Sequence, residues 1–139
     1  MSKDNMNFVL NDAVDTALHF LGKSGEFFPF GVVISNDNKL RHVQGWTGEE
    51  QPLSDEVISC LIQGMQQQVQ KGEYLTTAIV SDVRTRQHES DLVTDAIRIC
   101  IEDKDSDPVT CYLPYSVSNA TILPGDMTYE RGETLIFRT

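Results

Sequence analysis

The segments YLTTAIVSDV (74–83), LVTDAIRICIED (92–103) and VTCYLPY (109–115) decide the fold of this chain. Apolar side chains recur in them at every second position, which is the period of a β-strand that turns one face to a core. Charged or proline-containing stretches separate the three segments and are typical of turns. A further strand is predicted near Glu133 to Phe137, so the second half of the chain is predicted to be a run of strands.

The first half of the chain has helical periodicity on both sides of one β-hairpin. From Met6 to Leu21, apolar residues recur at intervals of three and four, and Gly22 ends this amphipathic helix. Alternating apolar residues around an Asn-Asp-Asn turn predict the hairpin. Ser54 then caps a second amphipathic helix. The predicted elements are a helix over 6–22, strands over 28–34 and 40–46, and a helix over 54–72.

All 139 residues are predicted to form a single domain, because a chain of this length buries one compact core. Mixed helices and consecutive strands indicate the α+β class. We expect two helices packed on one face of a mostly antiparallel sheet of about five or six strands, in the order α-β-β-α-β-β-β-β.

The charge of the chain limits its partners. There are 21 acidic and 11 basic residues, which gives a formal net charge of -10. Such a surface repels phosphate backbones and anionic lipids, so we expect neither nucleic acid nor a membrane surface as a partner. No apolar segment reaches the roughly 20 residues of a membrane helix, and the N-terminus shows no secretory pattern. A cytoplasmic location is predicted.

The reactive side chains show no familiar catalytic or metal-binding spacing. Cys60, Cys100 and Cys111 are an odd number at wide spacing, which argues against a disulfide framework and fits a reducing compartment. The histidines lie far from one another and from the cysteines, so zinc ligation is unsupported. Neither a phosphate loop nor a nucleophile elbow is present. No metal and no cofactor are therefore predicted.

Isolated acids within the apolar strands are the candidate site residues. Strand parity places Asp95 on the face of the isoleucines at 97, 99 and 101, where a carboxylate must reach water or meet a donor. Asp82 and Asp95 can approach each other across a hairpin, to divide acid and base roles or to bind a divalent cation. The alternative is that both accept hydrogen bonds from loop amides. The candidates for a carboxylate-containing pocket are Glu26, Asp82 and Asp95.

The hairpin formed by the second and third segments has two possible registers. A register that pairs Cys100 with Cys111 places the isoleucines at 97, 99 and 101 on the same face as Thr110 and Tyr112. A shift of one residue pairs Ile97 with Leu113 and Ile99 with Cys111, which makes one continuous apolar face. We expect the second register, and with it no disulfide between Cys100 and Cys111.

Two further expectations concern single residues of these strands, Glu102 by side-chain parity and Pro114 by its missing N–H. Glu102 lies on the outer face and is predicted to be solvated beside Arg98. Pro114 cannot donate a hydrogen bond to a β-ladder, so its strand ends there or lies at an edge of the sheet. An edge strand invites pairing with a second subunit.

Four short motifs together resemble a pattern in small bacterial proteins of unknown function. They are Gly25 to Phe30 (GEFFPF), Asp95 to Ile97 (DAI), Glu102, and Leu113 to Tyr115 (LPY). The resemblance spans most of the chain. It implies a bacterial origin and a compact α+β fold, and it supplies no activity and no site residue.

Two functions are open at this point. The first is a non-catalytic binding or protein-interaction domain, with a homodimer or a protein partner, because the surface is acidic and no catalytic constellation is present. The second is a small enzyme or ligand sensor with a pocket near Glu26, Asp82 and Asp95, because these acids lie in or near apolar strands. A structure distinguishes them by showing whether the three carboxylates lie together.

Overall fold

The computed structural model describes residues 2–45, 47–48, 53–86 and 93–137. These residues form two helices and one seven-stranded antiparallel sheet, which confirms the predicted α+β class. Along the chain the elements are α1 (Ser2–Ser24), β1 (Phe30–Ser35), β2 (Leu40–Gln44), α2 (Ser54–Gln70), β3 (Tyr74–Arg86), β4 (Val93–Asp103), β5 (Ser106–Ser118), β6 (Thr121–Pro124) and β7 (Thr128–Arg131).

The strands follow the order β2-β1-β3-β4-β5-β6 across the sheet, and β7 also pairs with β5. The described sheet thus has one or two strands more than the predicted five or six. Two predicted strand ends, at Trp46 and Leu92, lie outside the described residues. Neither of the described helices is long and apolar enough to cross a membrane.

The two helices pack on opposite faces of the sheet, so the prediction that they share one face is wrong. The face that we call the α1 face carries Val32, Val80 and Ile97, and α1 packs there. The α2 face carries Val33 and Ile79, and α2 packs there. Successive side chains of a strand point to opposite faces, and every residue of β1 is buried. The central strands are therefore covered on both sides.

One glycine ends α1, and another allows α2 to pack close to the end of β2. The Gly25 N–H donates to the Leu21 carbonyl at 2.8 Å, and its φ of 77° takes a left-handed conformation that stops α1 at Ser24. α1 thus continues two residues past the predicted end at Gly22. A Cβ at Gly45 would lie 2.9 Å from the Val57 carbonyl oxygen, so only glycine permits α2 to lie this near the end of β2.

The predicted register between β4 and β5 is confirmed. Ile97 pairs with Leu113 and Ile99 with Cys111, and all of these side chains belong to the core of the α1 face. Cys100 pairs with Thr110 and faces the other side of the sheet. The cysteines at 60, 100 and 111, all within the described residues, are free thiols.

Pro114 lies in the interior of a strand, contrary to the prediction that its strand ends there or lies at an edge. β5 continues to Ser118 and is flanked by β4 on one side and by β6 and β7 on the other. The Gly125 N–H donates to the Pro114 carbonyl at 2.7 Å, so Pro114 faces the interruption between β6 and β7. The missing N–H of proline is tolerated because it points at this irregularity.

Residues 133–137 form no strand, so the strand predicted near Glu133 to Phe137 is wrong. This segment, 133–137, is irregular and folds over the α2 face, where Ile136 is buried against α2. The edge strands β6 and β7 precede it in the chain. The apolar residues at 135–137 thus fill the core without joining the β-ladder.

Candidate functional site

The predicted acids Asp82 and Asp95 lie on the α1 face, near the end of the sheet at which β1 begins. Asp82 pairs with Ile97, and Asp95 pairs with both Arg84 and Tyr115. Directly opposite residues of an antiparallel ladder share one face. One end of the α1 face therefore carries two carboxylates, a guanidinium and a phenol.

Tyr115 is the partner of Asp82. Its hydroxyl donates to Asp82 Oδ1 at 2.6 Å, a short, charge-assisted hydrogen bond. Burial raises the pKa of Asp82, and the negative charges of Asp95 and Glu26 raise it further, against the lowering effect of the Tyr115 hydrogen bond. Burial also raises the pKa of Tyr115, and the hydrogen bond to Asp82 adds to that effect. The phenol therefore stays protonated and acts as a donor.

Asp95 and Glu26 complete this group of acids. Asp95 Oδ1 lies 3.5 Å from Arg84 Nε in an ion pair that is largely open to water. Glu26 is exposed between α1 and β1, and its charge acts on Asp82. The structure thus brings Asp95 and Glu26 within electrostatic reach of Asp82. Among the described residues, the partners of Asp82 and Asp95 are a phenol and a guanidinium, in place of the loop amides of the alternative prediction.

Sequence reasoning did not include Tyr115 in this group, although a signal for it was present. The register that pairs Ile97 with Leu113 also places residue 115 opposite Asp95, two positions further along both strands. Parity then puts the Tyr115 phenol on the same face as Asp82. The predicted register was therefore sufficient to place a phenol opposite Asp95, and the pairing of Asp82 with Ile97 brings that phenol to Asp82.

A groove of about 730 Å³ lies elsewhere on the sheet. α2 packs on β1 and β3, so β4, β5 and the edge strands extend beyond it. We call this surface the open groove. It is lined by Thr85, Thr94, Ala96, Tyr112, Pro114, Tyr115, Ser116, Leu123, Gly125, Asp126, Thr128, Tyr129 and Glu130. Neither Asp82 nor Asp95 nor Glu26 lines it.

A smaller cavity of about 300 Å³ adjoins the open groove and shares Tyr112 and Glu130 with it. Arg98 lines this cavity, and its buried Nε has no hydrogen-bond partner among the described residues. The Oγ of Ser81, directly opposite on β3, is likewise buried and without a described partner. Burial raises the pKa of the neighbouring Cys100 thiol, although the Arg98 charge opposes this effect.

Glu102 is buried, and the prediction that it is solvated beside Arg98 is wrong. Only 5% of the residue is exposed. Its carboxylate accepts hydrogen bonds at 2.9–3.1 Å from three successive backbone N–H groups, those of Leu135, Ile136 and Phe137. Gln66 of α2 also donates to the Leu135 carbonyl at 2.7 Å. Glu102 is therefore the anchor of the C-terminal segment, and its role is structural.

No metal centre is visible in the part of the chain that the structure describes, because no three His, Cys, Asp or Glu side chains are placed to hold an ion. Comparisons of the chain with protein-family models, with curated proteins and with solved structures found no match. The open groove and the group of acids around Asp82 are therefore the two candidate sites of the described residues.

Proposed function

We propose that the protein is a non-catalytic protein-interaction domain that binds its partner in the open groove. The observation that carries this proposal is the groove itself, a concave surface of about 730 Å³ on a half of the sheet that α2 leaves open. Binding sites are typically concave, with apolar and aromatic walls and a few polar groups that fix orientation.

The lining of the open groove fits a binding role. Tyr112 and Leu123 supply large apolar and aromatic surfaces on the α2 face, and Leu123 is exposed. Tyrosine gives large contact area at low entropic cost and is enriched in interfaces. Most of the remaining lining residues carry a hydroxyl or a carboxylate, as in the polar rim of a protein interface.

The same lining supports a non-catalytic role. The described residues around the open groove include no histidine, cysteine or lysine, the side chains that most often serve as base or nucleophile near neutral pH. We also propose a cytoplasmic location, which the free thiols at 60, 100 and 111 support.

A matched pair of blocking substitutions tests the proposal. Thr94 lines the open groove, whereas its neighbour Val93 points to the α1 face and is 51% exposed. Thr94→Trp should fill the groove, and Val93→Trp adds the same side chain to the opposite face. Peptides selected from a random heptapeptide library on the folded protein serve as the probe.

The selected peptides should shift the backbone NMR signals of Thr94, Tyr112 and Leu123. Thr94→Trp should weaken their binding by about tenfold or more, and Val93→Trp by less than about twofold. Peptides that map elsewhere, or that bind both variants equally well, would contradict a groove-binding domain.

A second function is favoured by a separate observation, the short hydrogen bond between Tyr115 and Asp82 beside Asp95 and Glu26. We propose as the alternative that this group of carboxylates binds a ligand in a small enzyme or sensor. A thermal-shift screen with divalent metals and metabolites tests it, since a ligand of the folded state raises Tm. A compound that stabilises the wild type but not Asp82→Asn would support the alternative, and a screen without any such compound would reject it.

A further inference from the structure

We infer that the partner is a positively charged, extended segment of another protein, which adds to β7 as a further strand and lays alternate side chains over the open groove. This inference rests on the proposed function and specifies the chemistry of the partner. It is carried by the geometry of the β7 edge and by the charge of the groove.

The backbone of β7 is free to accept a strand on its outer side. Within the described residues, β7 pairs with β5 alone. The Gly132 N–H donates to the Pro108 carbonyl at 3.0 Å, next to the pair Val109 and Arg131. Because hydrogen-bonded and non-hydrogen-bonded pairs alternate in an antiparallel ladder, Thr128 and Glu130 bond to β5. The N–H and C=O groups of Tyr129 and Arg131 therefore point away from the sheet, as those of an edge strand do.

The side chains of β7 divide between the two faces. Thr128 pairs with Tyr112 and Glu130 with Thr110, so both lie on the α2 face, beside the open groove. All four residues of β7 are exposed, with Tyr129 at 63%. A strand added to this edge would therefore place every second side chain beside Thr128 and Glu130, where the groove continues inward.

Charge decides which segment fits there. The described residues that line the open groove include the acids Asp126 and Glu130 and no lysine or arginine. Opposite charges on neighbouring strands stabilise a sheet, and the net charge of -10 attracts a basic partner from a distance. A second copy of this chain would bring the same charge of -10 to the same edge. A basic segment is thus favoured over self-association.

Three end-capped heptapeptides test the charge of the partner. They alternate valine with lysine, with serine or with glutamate, and binding is measured by fluorescence anisotropy. The lysine peptide should bind at least about tenfold more tightly than the other two. Its affinity should fall as salt is raised from about 50 to 500 mM, because salt screens surface charges.

Matched charge variants of the protein distinguish binding by the acids of the groove from non-specific attraction by the net negative charge. The double variant D126N/E130Q removes two charges from the groove, and D4N/D15N removes two exposed charges from α1, on the other side of the sheet. The first should weaken binding of the lysine peptide by about tenfold and the second by less than about twofold. Equal losses would overturn the inference, because attraction would then be non-specific.

Backbone methylation tests strand addition. Two versions of the lysine peptide carry N-methyl groups on alternate residues, one on the lysines and one on the valines. An added strand bonds through one of these sets only, so one version should lose binding and the other should keep it. On the protein, Tyr129→Pro should remove binding that Tyr129→Val retains, since proline is tolerated at an edge but lacks the outward N–H. Two methylated peptides of equal affinity would overturn strand addition.

The outcomes separate this inference from the proposed function. If the serine or glutamate peptide binds as tightly as the lysine peptide, the basic partner is wrong and groove binding stands. The same conclusion holds if none of the three binds while library-selected peptides still occupy the groove. If no peptide of either kind binds the groove, both proposals fail. A dimer in light scattering that Tyr129→Pro converts to monomer would assign the edge to a second copy and overturn the inference.

Discussion

The two faces of the sheet differ in how far each is covered. α1 packs across β1, β3, β4 and β6, and its face ends in the group of acids around Asp82. α2 packs on β1 and β3, the C-terminal segment covers part of the rest, and the open groove remains. A sheet whose two faces are covered by single helices can therefore leave part of one face available for binding when its helix spans fewer strands.

The two faces should differ most in the free energy of unfolding that is lost when one apolar side chain is truncated on each face. Ile97 is fully buried on the α1 face, and Leu123 lies in the open groove. Ile97→Ala should lower the free energy of unfolding by about 4 kcal/mol, because it loses apolar burial and leaves a cavity. Leu123→Ala should change it by less than about 0.5 kcal/mol. Urea denaturation measures both, and similar losses would show that the groove belongs to the core.

The anchor of the C-terminal segment should give the next largest effect. Glu102→Gln replaces a carboxylate that accepts from three successive N–H groups, and we expect a loss of about 3 kcal/mol. The matched control is Glu130→Gln, an exposed residue that should lose less than about 0.5 kcal/mol. Hydrogen exchange at residues 135–137 should speed up in Glu102→Gln alone. Amides that stay protected there would show that Ile136, and not Glu102, holds the segment.

A smaller effect is expected at the end of the α1 face. Tyr115→Phe removes the donor to Asp82 from a residue that is 7% exposed, and should lower the free energy of unfolding by about 1.5 kcal/mol. Tyr129→Phe removes the hydroxyl of an exposed tyrosine and should leave stability unchanged. An unchanged Tyr115→Phe would mean that the hydrogen bond to Asp82 adds nothing to the fold.

The smallest effect is a dependence on pH. Asp82 has a pKa above its ordinary value of 3.8 in the folded protein, so the folded state binds this proton more tightly than the unfolded chain does. Its contribution to stability is fully present below pH 3.8 and is lost as pH rises through the folded pKa. As pH rises from 3.8 through the folded pKa of Asp82, the free energy of unfolding of the wild type should therefore fall relative to that of Asp82→Asn.

The carboxyl carbon of Asp82, followed by NMR titration, measures the same shift directly. Tyr115→Phe should raise the pKa of Asp82 further, because the Tyr115 hydrogen bond lowers it. A pKa at or below 3.8 in the wild type would contradict the burial of this carboxylate.

Particular residues show how far sequence reasoning reaches here. Asp95 could be placed on the isoleucine face, near the mouth of its strand, because side-chain parity is a local property. Glu102 could not be placed correctly, because its partners lie more than thirty residues further along the chain, in a segment that was mistaken for a strand. The same parity rule assigned it to the correct face but could not show what covers that face.

The open groove could not be predicted either. Its lining comes from five strands, β3 to β7, and from the break between β6 and β7, and it stays uncovered because α2 packs on β1 and β3. The sequence pattern predicted Tyr112 in a strand and Leu123 in a turn, and it could not show that both side chains line one groove. The position of Pro114 was misjudged for a related reason, since its tolerance depends on an irregular neighbour.

The sequence by itself determined the α+β class, the strand segments of the central sheet and the register of β4 against β5. These depend on the alternation of apolar side chains, which acts locally or between adjacent strands. Tertiary structure alone decided which face each helix covers, what partner Glu102 finds and where the groove opens. Both sides of β1 are buried, so the sequence does not distinguish Val32, which contacts the α1 face core, from Val33, which contacts the α2 face core. The partner of Glu102 and the position of the groove depend in the same way on contacts between segments that are distant in the chain.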